Sequence, residues 1–416
     1  IFLNDNRTKN EEKNLFIIRS FLYEESKSFD YPTVVTLFNG ESHRYKQMKF
    51  TCRRKLADGG AEWVRGAVQK LVISPEQCRL ILFRLVCSFS RNVTGTLSYE
   101  IGMRNKEFEM TEFKEFSITR PDRKKRSFVS CMSRMIAFDD WALLLFAMET
   151  FRLHGGDLVV AYVNCALKQV LELMKLYEKD GLMTIRHGYK APQTNSLPYD
   201  PDAETEYSNQ MANSHECLYE FKESAEFIAF TDWDDVLVSP GSGSFASEFQ
   251  KLANLNPLAG SFSIERLDSF LPTAFTKKNK FSLKRAVDEA GYNMELADKK
   301  VVVKPERVAG VWIHKLIVPE KEKFNETTVD EKSAVILHTY NLTYGGDEIK
   351  EKKKIIGNLT ENNLLHCPTY KICKYPKQEL EVVKIQTTYR KPLRTGEVTW
   401  HERSKINFIE SKDGCL

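Results

Sequence analysis

Between Glu226 and Val238 an apolar run passes straight into three carboxylates and out into apolar residues again: Phe227-Ile228-Ala229-Phe230-Thr231, then Asp232-Trp233-Asp234-Asp235, then Val236-Leu237-Val238. Burying such a cluster without compensation is severely unfavourable, so the carboxylates belong at a strand end where a cation can neutralise them. Hard oxygen donors of this kind suit Mn²⁺ or Mg²⁺, and either ion can in turn hold a diphosphate. An isolated Asp-x-Asp is more often a solvated acidic turn or a calcium site. What shifts the balance here is the position of the motif in the chain.

Upstream of it the pattern alternates strand and helix. Met132 to Phe138 is strand-like, and Asp139-Asp140 can cap a helix from Trp141 to His154 that Gly155-Gly156 would end. Leu158 to Val163 is a continuous apolar run, as in a strand buried on both faces. The next helix sets Leu167, Val170, Leu171, Met174 and Tyr177 on one side and stops at Gly181, before a third strand from Leu182 to Arg186. A helix over about Asn209 to Lys222 precedes the acidic stretch. This spacing predicts an α/β fold with a parallel sheet and right-handed crossovers, which binds ligands at the carboxyl ends of its strands. Neither GxGxxG nor GxxxxGK[ST] occurs, so any phosphate must be handled without a glycine loop.

The remainder of the chain divides around this unit. Residues 1–126 read as a small β-rich domain ending in a basic linker, Arg120-Pro121-Asp122-Arg123-Lys124-Lys125-Arg126, with strand-like runs at Thr33 to Phe38, Leu80 to Val86 and Gly95 to Ile101. Residues 127–345 form the α/β domain and 346–416 a C-terminal extension packing on it. A charge of +4 spread over 416 residues gives no basic face for nucleic acid. No apolar run is long enough for a membrane helix, and Ile1 is not an initiator methionine, so the chain is expected to be a trimmed piece whose anchor lies elsewhere. Nine cysteines without CxxC or zinc spacing favour disulfides. Sequons at Asn6, Asn92, Asn325, Asn341 and Asn358 exceed chance and point the same way, to a secretory compartment.

Several segments resemble glycosyltransferase family 92: Glu216 to Lys222, FIAFTDWDDVLVSP from Phe227 to Pro240, and AGSFSIERLDSF from Ala259 to Phe270. Cys131 to Met135, Tyr177 to Gly181, Val311 to His314 and Leu337 to Tyr340 are similar to the same family. The resemblance covers roughly Phe128 to Tyr340. It implies a GT-A fold, with a Rossmann-like, mostly parallel sheet, an inverting mechanism, a UDP-sugar donor and Mn²⁺. Within the family the likeness is greatest to nematode-type enzymes that add β1,4-galactose from UDP-galactose to the core fucose of N-glycans. That implies a fucosylated N-glycan acceptor and the Golgi lumen, on the ectodomain of a type II membrane protein. The alternative is an inactive or lectin-like secreted glycan-binding protein with a structural cation at the DxD.

Asp232 and Asp234 match the two acidic positions of the DxD, which implies that Asp232 faces ribose and metal and that Asp234 ligates the metal. Asp235 is either a third ligand or a residue that orients one. A histidine commonly completes such a shell. His338, delivered by the apolar run Ala334 to Leu337, is preferred, and His314 stays open. An inverting transfer needs a carboxylate base. Glu265, Asp268, Asp288 and Glu289 are the candidates, with Glu265 best situated after strand-like Gly260 to Ile264. For the uridine, the loops after the first two strands offer Ser133, Arg134 and Asn164, and the helix before the DxD offers Gln210.

Overall fold

The computed structural model describes residues 15–41, 49–71, 78–91, 95–104, 113–135, 138, 141–191, 201–241, 243–270, 291–339 and 382–384. An antiparallel sheet comes first: β1 (Leu15–Tyr23), β2 (Thr33–Glu41), β3 (Lys49–Leu56), β4 (Ala61–Lys70), β5 (Leu80–Ser88), β6 (Thr96–Arg104) and β7 (Lys114–Glu115). Their order is β1-β2-β5-β4-β3-β6-β7. β4 pairs with β3 up to Gly66 and with β5 from Ala67 onward, so the sheet turns a corner at Gly66. A β-carbon there would lie 2.4 Å from Leu85 Cδ1, which accounts for the glycine. The corner brings Cys52 of β3 to Cys87 of β5, and the two form a disulfide.

The second sheet begins at β8 (Arg126–Met135), whose first residue is the last of the basic run. Then follow α1 (Trp141–Leu153), β9 (Leu158–Val163), β10 (Cys165–Leu167), α2 (Lys168–Lys179), β11 (Met183–His187), α3 (Gln210–Phe221) and β12 (Ala225–Thr231). β11, β9, β8 and β12 pair side by side in parallel, as the alternating pattern predicts. All six residues of β9 are buried, which is why its apolar run shows no alternation. Gly155 (φ 70°) and Gly181 (φ 75°) adopt the left-handed conformation that ends α1 and α2.

Beyond β12 the expectation of a mostly parallel sheet is corrected, because the sheet is mixed. The elements are β13 (Asp235–Val238), α4 (Phe245–Leu255), β14 (Ala259–Phe270), β15 (Gly291–Val303), β16 (Val308–Trp312), β17 (Lys315–Pro319), β18 (Asn325–Thr328), β19 (Val335–His338) and β20 (Val382–Lys384). β15 runs antiparallel to both β12 and β14, β19 parallel to β14, and β13 antiparallel to β19. The long β14–β15 pair reverses chain direction inside the sheet, which no local periodicity specifies. β20 pairs with β10, so the C-terminal segment returns to the strand that follows β9. Among the described residues no helix is long and apolar enough to cross a membrane.

Two apolar layers hold the sheet. On one face α1, α2 and α4 pack through Leu144, Phe146, Val170, Met174, Phe245 and Phe249. On the other, Leu218 and Tyr219 of α3 and Trp312 of β16 pack against Phe21, Val35, Leu37 and Leu82 of the N-terminal sheet. The first sheet therefore shares a core with the helix that leads to the acidic motif. A buried polar network crosses the same seam. Arg84 Nη1 donates to Glu320 Oε1 (3.0 Å) and Tyr219 Oη (3.0 Å), and Lys222 Nζ reaches Glu320 Oε2 (3.1 Å) and the carbonyls of Pro305 (2.7 Å) and Val308 (2.6 Å).

Candidate functional site

β12 carries Thr231 to the carboxyl end of the parallel strands, and the chain then turns sharply, Asp235 N–H donating to the Asp232 carbonyl (3.1 Å). β13 starts at Asp235 and pairs with β19 so that Asp235 lies opposite His338. Thr339 fixes the turn from behind by donating its N–H (2.7 Å) and hydroxyl (3.1 Å) to the Asp234 carbonyl. β14 lies on the other side of β19, in a register that sets Asp268 abreast of His338. Arg266, two residues earlier in β14, shares the Asp268 face by strand alternation.

The carboxylates have different surroundings. The Asp235 side chain is fully buried: Oδ1 accepts from Arg266 Nε (2.8 Å) and His338 Nδ1 (3.0 Å), and Oδ2 from Lys300 Nζ (2.8 Å). Asp232 accepts from Gln210 Nε2 at Oδ1 (2.8 Å) and from Lys300 Nζ at Oδ2 (2.6 Å). Among the described residues the Asp234 side chain, 37% exposed, meets only His338 Nδ1, at 3.7 Å. Burial and the charges of Asp235 and Asp232 push Asp234 up to about 6, against the pull of His338 and Lys300. Burial works the same way on Asp235, but the hydrogen bond from His338 and the charges of Lys300 and Arg266 hold it well below the usual carboxylate range. Lys300 is kept above its ordinary value by Asp232 and Asp235, although burial opposes this.

The cluster therefore does not depend on an external cation for most of its charge balance. Lys300 and Arg266 already neutralise two of the three negative charges, and the uncompensated one rests on Asp234, the carboxylate that faces outward. Donor atoms of Asp234, Asp235 and His338 lie within 4.8 Å of one another. Two carboxylates and an imidazole with one residual negative charge suit a divalent ion of Mn²⁺ type. The grouping differs from the Asp232, Asp234 and His338 set read from the sequence, because the pairing of β13 with β19 sets Asp235 against His338.

Other sequence candidates fall around this centre. β8 bulges at Ser133–Arg134, where its ladder with β9 skips from Met132 to Met135. Asn164 follows β9 directly and is buried, its N–H donating to the Met135 carbonyl (2.8 Å). Gly188, after β11, abuts it so closely that a β-carbon would lie 1.9 Å from Asn164 Oδ1. Ser133, Arg134, Asn164 and Asp232 thus share the carboxyl edge of the parallel strands. His314 donates Nδ1–H to the Lys299 carbonyl (2.7 Å) and stands outside the Asp234, Asp235 and His338 group. Glu265 alternates away from Arg266 and pairs with Lys299. Asp288 and Glu289 lie outside the described residues. Lys300 and Arg266 were not singled out from sequence. The available signal was a lysine running directly into the apolar end of its strand, since Lys300 precedes Val301-Val302-Val303.

An acidic cluster at the carboxyl edge of an α/β sheet is the architecture of a strand-end ligand site. Residues 126–383 match the family described as glycosyltransferase family 92, and the chain belongs to that family. Three Caenorhabditis elegans proteins, each named a glycosyltransferase family 92 protein, are similar to it. One is 23% identical over 76% of this chain and 62% of its own length, a second 26% over 75% and 59%, and a third 28% over 50% and 41%. The chain therefore spans about three fifths of the first two relatives. A purple acid phosphatase from yellow lupin seeds matches over 44% of this chain and 37% of its own at 10% identity, but a TM-score of 0.19 carries no argument.

Proposed function

We propose that this chain is the catalytic region of an inverting, metal-dependent glycosyltransferase of GT-A type that transfers galactose from UDP-galactose to a glycan. The proposed acceptor is the core fucose of an N-glycan, joined through a β1,4 linkage. The observation that carries the reading is the Asp234, Asp235 and His338 group at the carboxyl edge of parallel strands, within a chain of this family. Those three residues would hold the divalent cation, Mn²⁺ or Mg²⁺. When bound, such an ion supplies charge neutralisation to the departing diphosphate. Asp232, its carboxylate held by Gln210 and Lys300, would face the ribose. Ser133, Arg134 and Asn164 line the edge where the uridine would lie.

In an inverting transfer the acceptor hydroxyl oxygen bonds to the anomeric carbon as the bond to the diphosphate oxygen breaks, and the hydroxyl proton passes to a carboxylate. We assign that role to Asp268, because it stands abreast of His338 on the Arg266 face, whereas Glu265 is engaged by Lys299. The four parallel strands followed by a mixed half support the GT-A reading. The disulfides Cys52–Cys87 and Cys131–Cys217 and the exposed sequon at Asn325 support a Golgi lumen location, and the β20–β10 pairing supports a C-terminal extension packed on a catalytic domain over 127–345. The test is incubation with UDP-galactose, Mn²⁺ and a core-fucosylated N-glycan, with the product linkage read by NMR. A β1,4-galactosyl fucose supports the reading. No UDP release from any UDP-sugar, with no UDP binding, favours the glycan-binding alternative.

A further inference from the structure

Lys300 carries the most deeply buried positive charge of the acidic cluster, 1% exposed, with its Nζ between Asp232 Oδ2 (2.6 Å) and Asp235 Oδ2 (2.8 Å). Val302, the next residue on the same strand face, shows that this layer accepts apolar side chains. The fold alone therefore gives no reason for an ammonium there, and burying one is costly unless its partners repay it. A divalent cation bound by Asp234, Asp235 and His338 would enter a site that already holds two positive charges, from Lys300 and Arg266. A diphosphate arriving with it would bring the negative charge that offsets them.

We propose that Lys300 is a positioning residue that sets the metal affinity of the site: a built-in counter-cation that orders Asp232 and Asp235 and makes metal binding weak alone and strong only together with a diphosphate. This rests on the metal-dependent reading above. It has two consequences. The free protein keeps its acidic cluster ordered without metal, and metal and nucleotide bind with strong mutual cooperativity, each raising the affinity of the other by the same factor.

The test is binding, read without turnover, from the electron paramagnetic resonance signal of free Mn²⁺ during titration with and without UDP. Wild type should bind Mn²⁺ weakly alone and much more tightly with UDP. Lys300→Met removes a unit charge from the cluster and should bind Mn²⁺ alone about tenfold more tightly or better, with a smaller enhancement by UDP. Lys300→Arg keeps the charge and should stay close to wild type. A purely structural lysine would change melting temperature without changing this pattern. If Lys300→Met does not fold, Lys300→Gln, which keeps a donor for one carboxylate, serves in its place. Affinity for Mn²⁺ alone that is unchanged or lower in the folded variant overturns the proposal. A wild type that binds no Mn²⁺ with or without UDP, while the variant gains binding, overturns the cooperativity with a diphosphate and with it the metal-dependent reading on which the proposal rests. Absence of binding in both overturns the two together.

Discussion

Asp234 and Asp235 are chemically identical neighbours, yet the start of β13 turns one into the core and leaves the other facing outward. Their substitution should therefore have opposite effects. Asp235→Asn removes the shared partner of Arg266, Lys300 and His338, and breaking a buried pair in this way costs about 3 kcal/mol or more, so thermal denaturation should show a clear loss. Asp234→Asn should leave the metal-free protein as stable or more stable at pH 7.5. A carboxyl raised from 3.8 to about 6 adds stability that is full below 3.8 and lost as pH rises through 6, so the gain from asparagine should vanish below about pH 4. Melting in the presence of a chelator across that range checks the sign. Asp232, Asp234 and His338 were legible because each follows an apolar run that ends at a strand edge. Lys300 and Arg266 were not, since a lysine or arginine in a strand reads as solvated until its partners across the sheet are known.

The helices and the later strands before the DxD were legible for a local reason, since each α/β repeat writes its own periodicity and its own glycine stop, whereas the first strand runs over Arg126–Met135 and not Met132 to Phe138. The later half was not, since β15, β14, β19 and β13 are ordered by pairings between distant segments. Helix α3 links the two kinds of information. Its Cys217 is bonded to Cys131 of β8, its first residue Gln210 holds Asp232, and its His215 is fully buried. His215 donates Nδ1–H to the Met211 carbonyl (2.8 Å) and accepts at Nε2 from Val311 N–H (3.2 Å), so the ring has no room for a second proton. Burial pushes His215, and likewise His154 behind α1, down to about 4 from 6.5. The unfolded chain takes up protons first as pH falls. Stability is therefore full above 6.5 and is lost progressively down to about 4. Urea midpoints at pH 7 and pH 5 should differ in that direction, and equal midpoints would contradict the assignment of both histidines as neutral.

Across the whole molecule, the N-terminal sheet and the α/β half share one core through α3, although the basic run at 120–126 reads in sequence as a simple linker. A chain beginning at Ser127 would expose Leu218, Tyr219 and Trp312 and leave Lys222 and Glu320 without Arg84. Such a fragment should be insoluble or strongly aggregating. A soluble, cooperatively melting fragment would mean that the two halves fold independently. Asn325, exposed at the start of β18, should carry a glycan when the protein is made in a secretory host, and Asn325→Gln should remove one glycosidase-sensitive mass increment.

In the proposed function, Asp234 and its neighbours join a divalent cation to the diphosphate of a sugar donor. Calorimetric titration of UDP into wild type and Asp234→Asn, each with Mn²⁺ and with chelator, tests it most directly. UDP binding by wild type should depend on Mn²⁺ and fall at least about tenfold in the variant, as expected when a charged oxygen donor is replaced by a neutral one. UDP binding that is equal with and without Mn²⁺, or undiminished in Asp234→Asn, would contradict it.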